Sequence, residues 1–139
     1  MTMAEPTRGS EFAGVSVLVV EDNDFVRDLV ASQLKQIGFT RIRTAPDGDT
    51  ALSICAEAPP GLMICDINME PMNGFELIQR LRDKGLTGFN RVPTVMLSSH
   101  ALPEFIDKAR TLDVDAFLVK PVKKDALAER IRSVLNVQA

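Results

Sequence analysis

The chain has 139 residues, 45% of them hydrophobic, and its 16 basic and 19 acidic residues give a formal net charge of -3. That is enough chain to bury one core and too little for two ordinary domains, and the interspersed charge offers no basic stripe, so nucleic acid is not expected as a direct partner. No apolar run approaches the roughly 20 residues of a membrane span and no signal-peptide stretch opens the chain, so a soluble, cytoplasmic protein without a membrane partner is expected.

Residues 1 to about 13 are polar, carry Pro6 and Gly9, and lack periodicity; Arg8-Gly9-Ser10-Glu11-Phe12 resembles a translated cloning site. This segment is set apart as a disordered tail or cloning remnant, and a single domain is assigned to 14–139. From Val15 short apolar runs alternate with longer segments whose apolar residues fall three or four apart. The first run, Val15 to Val20, leads into a helix capped by Asn23 or Asp24, striped with Val26, Val30, Leu34 and Ile37 and stopped by Gly38. Arg41 to Ala45 follows, mixed with charge and therefore read as an edge strand. A second helix starts near Asp47 and must end by Pro59-Pro60. Cys55 on that helix and Cys65 in the next run, Leu62 to Cys65, have no CxxC neighbour and are read as reduced core thiols. Asn73, with Glu76 three residues later, has capping-box spacing for a third helix that buries Phe75, Ile78 and Leu81 before Gly85. After the run Val92 to Leu97, Pro103 suits the first turn of a fourth helix facing inward through Leu102, Phe105 or Ile106, and Ala109. The run Ala116 to Val119 precedes a fifth helix, about Lys123 to Asn136, with Leu127, Ile131 and Val134 or Leu135 inward.

Five strand–helix units in series predict an α/β domain of flavodoxin-like (βα)5 class, a doubly wound parallel sheet in which five strands favour the order 2-1-3-4-5. In such a sheet the ligand crevice lies beyond the carboxyl ends of the strands, where the winding reverses. Glu21 and Asp22 follow the first strand, Asp66 the third, Ser98 and Ser99 the fourth, and Lys120-Pro121 the fifth. Three carboxylates converging there repel one another, and a hard divalent cation such as Mg²⁺ would relieve them. With a lysine and a hydroxyl beside them, the set matches what phosphoryl transfer onto a carboxylate requires.

These residues carry a resemblance. Val19-Val20-Glu21-Asp22-Asn23, Asp66-Ile67-Asn68-Met69-Glu70-Pro71-Met72-Asn73-Gly74, Leu97-Ser98-Ser99 and Phe117-Leu118-Val119-Lys120-Pro121 resemble the motifs of the CheY-like receiver domains of bacterial two-component response regulators, over about Gly14 to Val137. The resemblance implies that Asp66 is the phosphoacceptor. Asp22 and Asp66 would bind Mg²⁺ by their side chains, Asn68 by its backbone carbonyl and Glu21 through a water. Lys120 would contact the acceptor and then the phosphoryl group, Ser98 would donate its hydroxyl to that group, and Asn68 and His100 would tune the lifetime of the aspartyl phosphate. A cis Lys120-Pro121 bond is implied too. Three features depart from the family pattern: Glu21 in place of the commoner Asp, Pro71 one place later than usual, and Phe117 where a switching tyrosine is frequent.

The expected partners are a histidine kinase or histidine phosphotransfer protein as donor, since no GxxxxGK[ST] loop is present to bind ATP, and an unidentified protein target. The expected switch has Ser98 moving toward the phosphoryl group, the loop with His100 and Ala101 shifting, and Phe117 filling the vacated space. A chain ending just past the fifth helix is read as a stand-alone regulator without a DNA-binding output domain. Such a protein is a switch catalysing only its own modification. Two other readings compete. Asp22-Asn23-Asp24 gives the DxD pattern of a haloacid-dehalogenase-like phosphatase, which would use Asp22 in place of Asp66 but lacks a later acidic pair and a cap insert. A flavin-binding module of the same fold is weakened by the absence of Trp and Tyr.

Overall fold

The computed structural model describes residues 12–83 and 92–135. They form β1 (Ser16–Val20), α1 (Asp24–Ile37), β2 (Arg41–Ala45), α2 (Gly48–Glu57), β3 (Leu62–Asp66), α3 (Gly74–Asp83), β4 (Thr94–Ser98), α4 (Pro103–Thr111), β5 (Ala116–Val119) and α5 (Lys124–Leu135). All strand pairs are parallel, in the order β2-β1-β3-β4-β5. The fold is therefore the flavodoxin-like one expected from the sequence, with the charged strand β2 at an edge.

Alternation along the strands splits the core into two layers. Leu18, Val20, Met63, Cys65 and Met96 face a cluster completed by Ala51 and Cys55 of α2, Phe75, Leu77, Ile78 and Leu81 of α3, and Ala109 of α4. Val17, Val19, Leu62, Ile64, Val95 and Leu97 face the other cluster, completed by Val30, Leu34 and Ile37 of α1 and Leu127 and Ile131 of α5. Each fully buried aliphatic side chain contributes roughly 1.5–3 kcal/mol, so these two layers, more than any polar contact, hold the strand ends in place.

Local signals set the helix ends. Asn23 Oδ1 accepts from the Val26 N–H at 2.9 Å, and Gly38, at φ 130°, returns its N–H to Leu34 and Lys35. Asn73 and Glu76 bond each other's backbone N–H reciprocally, both at 2.9 Å, completing the expected capping box. Two expectations change. Leu102, expected to face inward, is the N-cap of α4 and is partly exposed, because Pro103 takes the first helical position and leaves Leu102 extended outside it. Phe12, assigned to the excluded leader, is wholly buried: it stacks on Phe39 with ring centroids 4.6 Å apart, and the Arg132 guanidinium lies 5.8 Å from its ring centre. The remainder of the leader (1–11), the expected stop at Gly85 and the last expected helical residue, Asn136, lie outside the described residues.

Candidate functional site

The inner strands β1 and β3 are paired so that Val20 lies opposite Cys65, which brings the residues following each to one crevice. Glu21 extends β1 by donating its N–H to the Ala45 carbonyl at 3.1 Å. Asp66 closes β3, opposite Leu97 of β4. Carboxylate oxygens of Glu21, Asp22 and Asp66 all lie within 4.8 Å of one another. Glu21 and Asp66 are buried and Asp22 is exposed at the mouth.

Lys120 reaches the same point from β5. Its backbone N–H is fixed on the Ser98 carbonyl at 2.7 Å, and the following bond to Pro121 is cis, as the resemblance implied. Its Nζ donates to Glu21 Oε1 at 3.0 Å and lies 3.1 Å from Asp66 Oδ1 as an ion pair. That second contact lacks hydrogen-bond geometry, so Asp66 Oδ1 is a buried carboxylate oxygen without a hydrogen-bond partner.

The charges do not balance. At an effective dielectric constant of about 20, two unit charges at 4.8 Å repel by roughly 3 kcal/mol, and one lysine offsets one of three carboxylates. Burial pushes the Glu21 carboxyl up to about 7 from an ordinary 4.5, with the Asp66 charge adding to the push and the Asn23 N–H and Lys120 opposing it. Burial pulls Lys120 down, yet its contacts with Asp66 and Glu21 outweigh this and hold it above its ordinary value. Three carboxylates with a surplus of negative charge are the oxygen donor set a hard divalent cation fits.

The acceptor loop is shaped by Gly74. Its N–H donates to the Ile67 carbonyl at 3.0 Å, and a β-carbon there would run into the Asp66 carbonyl oxygen and Met96. The Glu70-Pro71 bond, the displaced proline of this loop, is cis. Asn68 is exposed and lines a groove of about 470 Å³ with Asp22, Met69, Glu70, Phe75 and Phe105.

The sequence matches the family described as the response regulator receiver domain over residues 17–132. The chain belongs to this family. Among curated proteins, the receiver is 38% identical over 125 residues to the sensor histidine kinase RcsC of Salmonella typhi, covering 84% of this chain and 12% of that protein. It is 37% identical over 110 residues to the regulator of RpoS of Escherichia coli K12, covering 79% of this chain and 31% of that protein. It thus spans less than a third of the length of these relatives. Among solved structures it resembles the chemotaxis protein CheY4 of Vibrio cholerae (TM-score 0.79, 29% identity, 88% of this chain and 98% of that one). It also resembles the receiver domain of the Arabidopsis thaliana histidine kinase CKI1 complexed with Mg²⁺ and BeF₃⁻ (TM-score 0.81, 26% identity, 94% and 96% covered). A receiver is a phosphoacceptor switch rather than a true enzyme, and this one carries the acidic pocket of Glu21, Asp22 and Asp66.

Not every expected site residue converges. The Ser98 hydroxyl, buried at the end of β4, donates to the His100 carbonyl at 2.7 Å and accepts the His100 N–H at 3.2 Å. It is turned into its own loop. The His100 side chain is exposed. Phe117 is half-buried and packs, as Phe105 does, against the layer covered by α2, α3 and α4. Asp24 of the DxD pattern pairs with Arg27 at 2.6 Å on the outer surface of α1. Both cysteines are buried thiols: burial pushes Cys55 up to about 11 and Cys65 further.

Sequence reasoning missed Arg27, whose guanidinium Nη1 donates to the Glu21 carbonyl at 3.0 Å and braces the loop between β1 and α1. Its i,i+3 spacing from Asp24 was visible, but its backbone target was not. Among the described residues, no helix is long and apolar enough to cross a membrane.

Proposed function

We propose that Asp66 accepts a phosphoryl group from a phosphohistidine donor in a Mg²⁺-dependent reaction, and that the modification switches a partner-binding surface. The observation that carries this reading is the buried Asp66 Oδ1, ion-paired with the Lys120 ammonium at 3.1 Å inside a cluster of three carboxylates. In the transfer, an Asp66 carboxylate oxygen forms a bond to phosphorus while the phosphorus–nitrogen bond to the donor imidazole breaks; the imidazole nitrogen takes a proton, and the acyl phosphate remains on Asp66.

Asp22 and Asp66 would hold the ion by their side chains, Asn68 by its carbonyl and Glu21 through a water, and the bound ion would neutralise charge developing on the phosphoryl oxygens. Lys120 holds its charge beside the acceptor before transfer and on a phosphoryl oxygen after it. Ser98 is held off that position by its two bonds to the His100 backbone, so its use requires the loop after β4 to rearrange. A charge-assisted bond to the phosphoryl group, worth about 1.5–3 kcal/mol, offsets the loss of those neutral bonds. Phe117 then packs differently against Phe105, and the surface formed by α4, β5 and α5 changes. Asn68 and His100 flank the crevice, where they set how readily water reaches the acyl phosphate.

Phe25, 76% exposed and two residues past Asn23, and the partly exposed Leu29 one turn beyond it offer an apolar strip for a histidine kinase or phosphotransfer protein. Incubation with acetyl phosphate and Mg²⁺, followed by peptide mass mapping, is expected to place one base-labile, hydroxylamine-labile phosphoryl group on Asp66. A group found on Asp22, or none at all, would overturn the reading.

A further inference from the structure

Helix α1 turns Val30, Leu34 and Ile37 toward the sheet, and a glutamine is buried among them, Gln33. Its Nε2 donates to the backbone carbonyl of Val122 at 2.9 Å, across 89 positions of the chain. Its Oε1 is buried with no hydrogen-bond partner. Only the NH₂ end of an amide can meet a carbonyl, so the orientation is forced, and the oxygen is desolvated without compensation. An apolar side chain would occupy this place without that loss. What the glutamine adds is its bond to Val122.

Val122 sits two residues past Lys120. Its carbonyl falls one residue ahead of that of Lys123, which opens the α5 ladder by accepting from the Leu127 N–H at 2.9 Å. On the other side, the Lys120 N–H is fixed on the Ser98 carbonyl. The turn carrying the lysine is thus tied at two points, one on β4 and one on α1. The same helix braces the other half of the ion pair, because Arg27 donates to the Glu21 carbonyl.

We propose that Gln33 is a positioning residue for phosphoryl transfer: by binding the Val122 carbonyl it holds the turn after β5 so that the Lys120 ammonium stays within reach of Asp66. The inference rests on the reading above, in which Lys120 contacts the phosphoryl group. It assigns to α1 the setting of the distance between lysine and acceptor, with no direct contact to the reacting atoms.

Gln33→Met keeps the length and volume of the side chain and cannot donate; Gln33→Leu is the second replacement, and both are compared as folded protein by circular dichroism. The initial rate of Asp66 phosphorylation by acetyl phosphate is measured at saturating Mg²⁺, with Mg²⁺ affinity determined separately by calorimetry. Both variants should be phosphorylated about three- to tenfold more slowly than the parent while binding Mg²⁺ within about twofold of it. In a Lys120→Ala background, Gln33→Met should slow the reaction no further, because a residue acting through the lysine has nothing left to act on. A parental rate in both Gln33 variants, or the same slowing with the lysine removed, overturns the inference and leaves the role of Lys120 standing. A Lys120→Ala protein phosphorylated at the parental rate overturns both.

Discussion

The two ends of the sheet are built on opposite terms. The carboxyl end buries Glu21 and Asp66 beside Asp22 with a single lysine between them, whereas the amino end, ahead of β1 and β2, is closed by the stacked rings of Phe12 and Phe39. One end holds polar groups in an arrangement that is poor for stability and suited to binding an ion, and the other contributes apolar burial that offsets it. Removing a group from either end should therefore move function and stability separately. The largest effect is expected from Asp66→Asn, which abolishes phosphorylation completely in the acetyl phosphate assay. The same change relieves repulsion from two carboxylates and loses one attraction to Lys120, so the Mg²⁺-free variant should be more stable by about 1 kcal/mol, read as a higher midpoint in urea. A less stable variant would show that the acidic cluster is not a site of net repulsion.

Phe12→Ala should do the reverse. A wholly buried, stacked phenylalanine with a guanidinium over its ring is worth about 3 kcal/mol or more on truncation, a melting-point drop on the order of 10 °C. The phosphorylation rate at 25 °C should stay within about twofold, since the ring belongs to the opposite end of the strands. Equal loss of rate and stability would mean that the two ends are mechanically coupled.

Much of this division was legible in the sequence, for identifiable reasons. The strand runs are nearly uninterrupted because both sheet faces are covered, and the caps at Asn23 and Asn73 act within three residues. Glu21, Asp22, Asp66 and Lys120 could be gathered by position alone, since the parallel order dictates which strand ends meet. What stayed hidden depends on contacts without a local pattern. Phe12 is one aromatic in a polar leader and has no periodic neighbour to announce its burial. Gln33 interrupts an apolar stripe, and its partner Val122 is set by the docking of α1 beside α5. The Ser98 hydroxyl was placed on the correct strand end, but its engagement with His100 follows from a turn whose conformation no residue spacing specifies.

The acidic end should also respond to pH, where the apolar end does not. The Glu21 carboxyl is held at about 7, above its ordinary 4.5, so between these values the folded protein binds the proton that the unfolded chain has released. Stability of the Mg²⁺-free protein should consequently fall as pH rises from about 4.5 through 7. Mg²⁺ binding favours the ionised carboxyl and should run the other way, strengthening by up to about tenfold per pH unit below 7 and levelling off above it. Calorimetric titrations at three pH values test this, with Glu21→Gln expected to flatten the profile. An affinity independent of pH in the parent protein would place the titrating proton elsewhere.

The smallest effect on the chemistry itself is expected from Phe117→Ala, although it bears most directly on how the acidic end communicates. Phe117 is half-buried on the edge strand β5 and, like Phe105 of α4, packs against the core layer covered by α2, α3 and α4; it is not among the three clustered carboxylates or their lysine. Its loss should leave the phosphorylation rate and Mg²⁺ affinity within about twofold, because no contact with the reacting groups is removed. The response to phosphorylation should change instead. Beryllofluoride binding to the parent is expected to shift amide resonances through the loop after β4, α4 and β5; in Phe117→Ala the shifts beyond the loop should shrink by about half or more, while those at Asp66 persist. An undiminished response in α4 and β5 would mean that Ser98 and its loop carry the signal without the aromatic ring, and that the half-buried position of Phe117 serves packing alone.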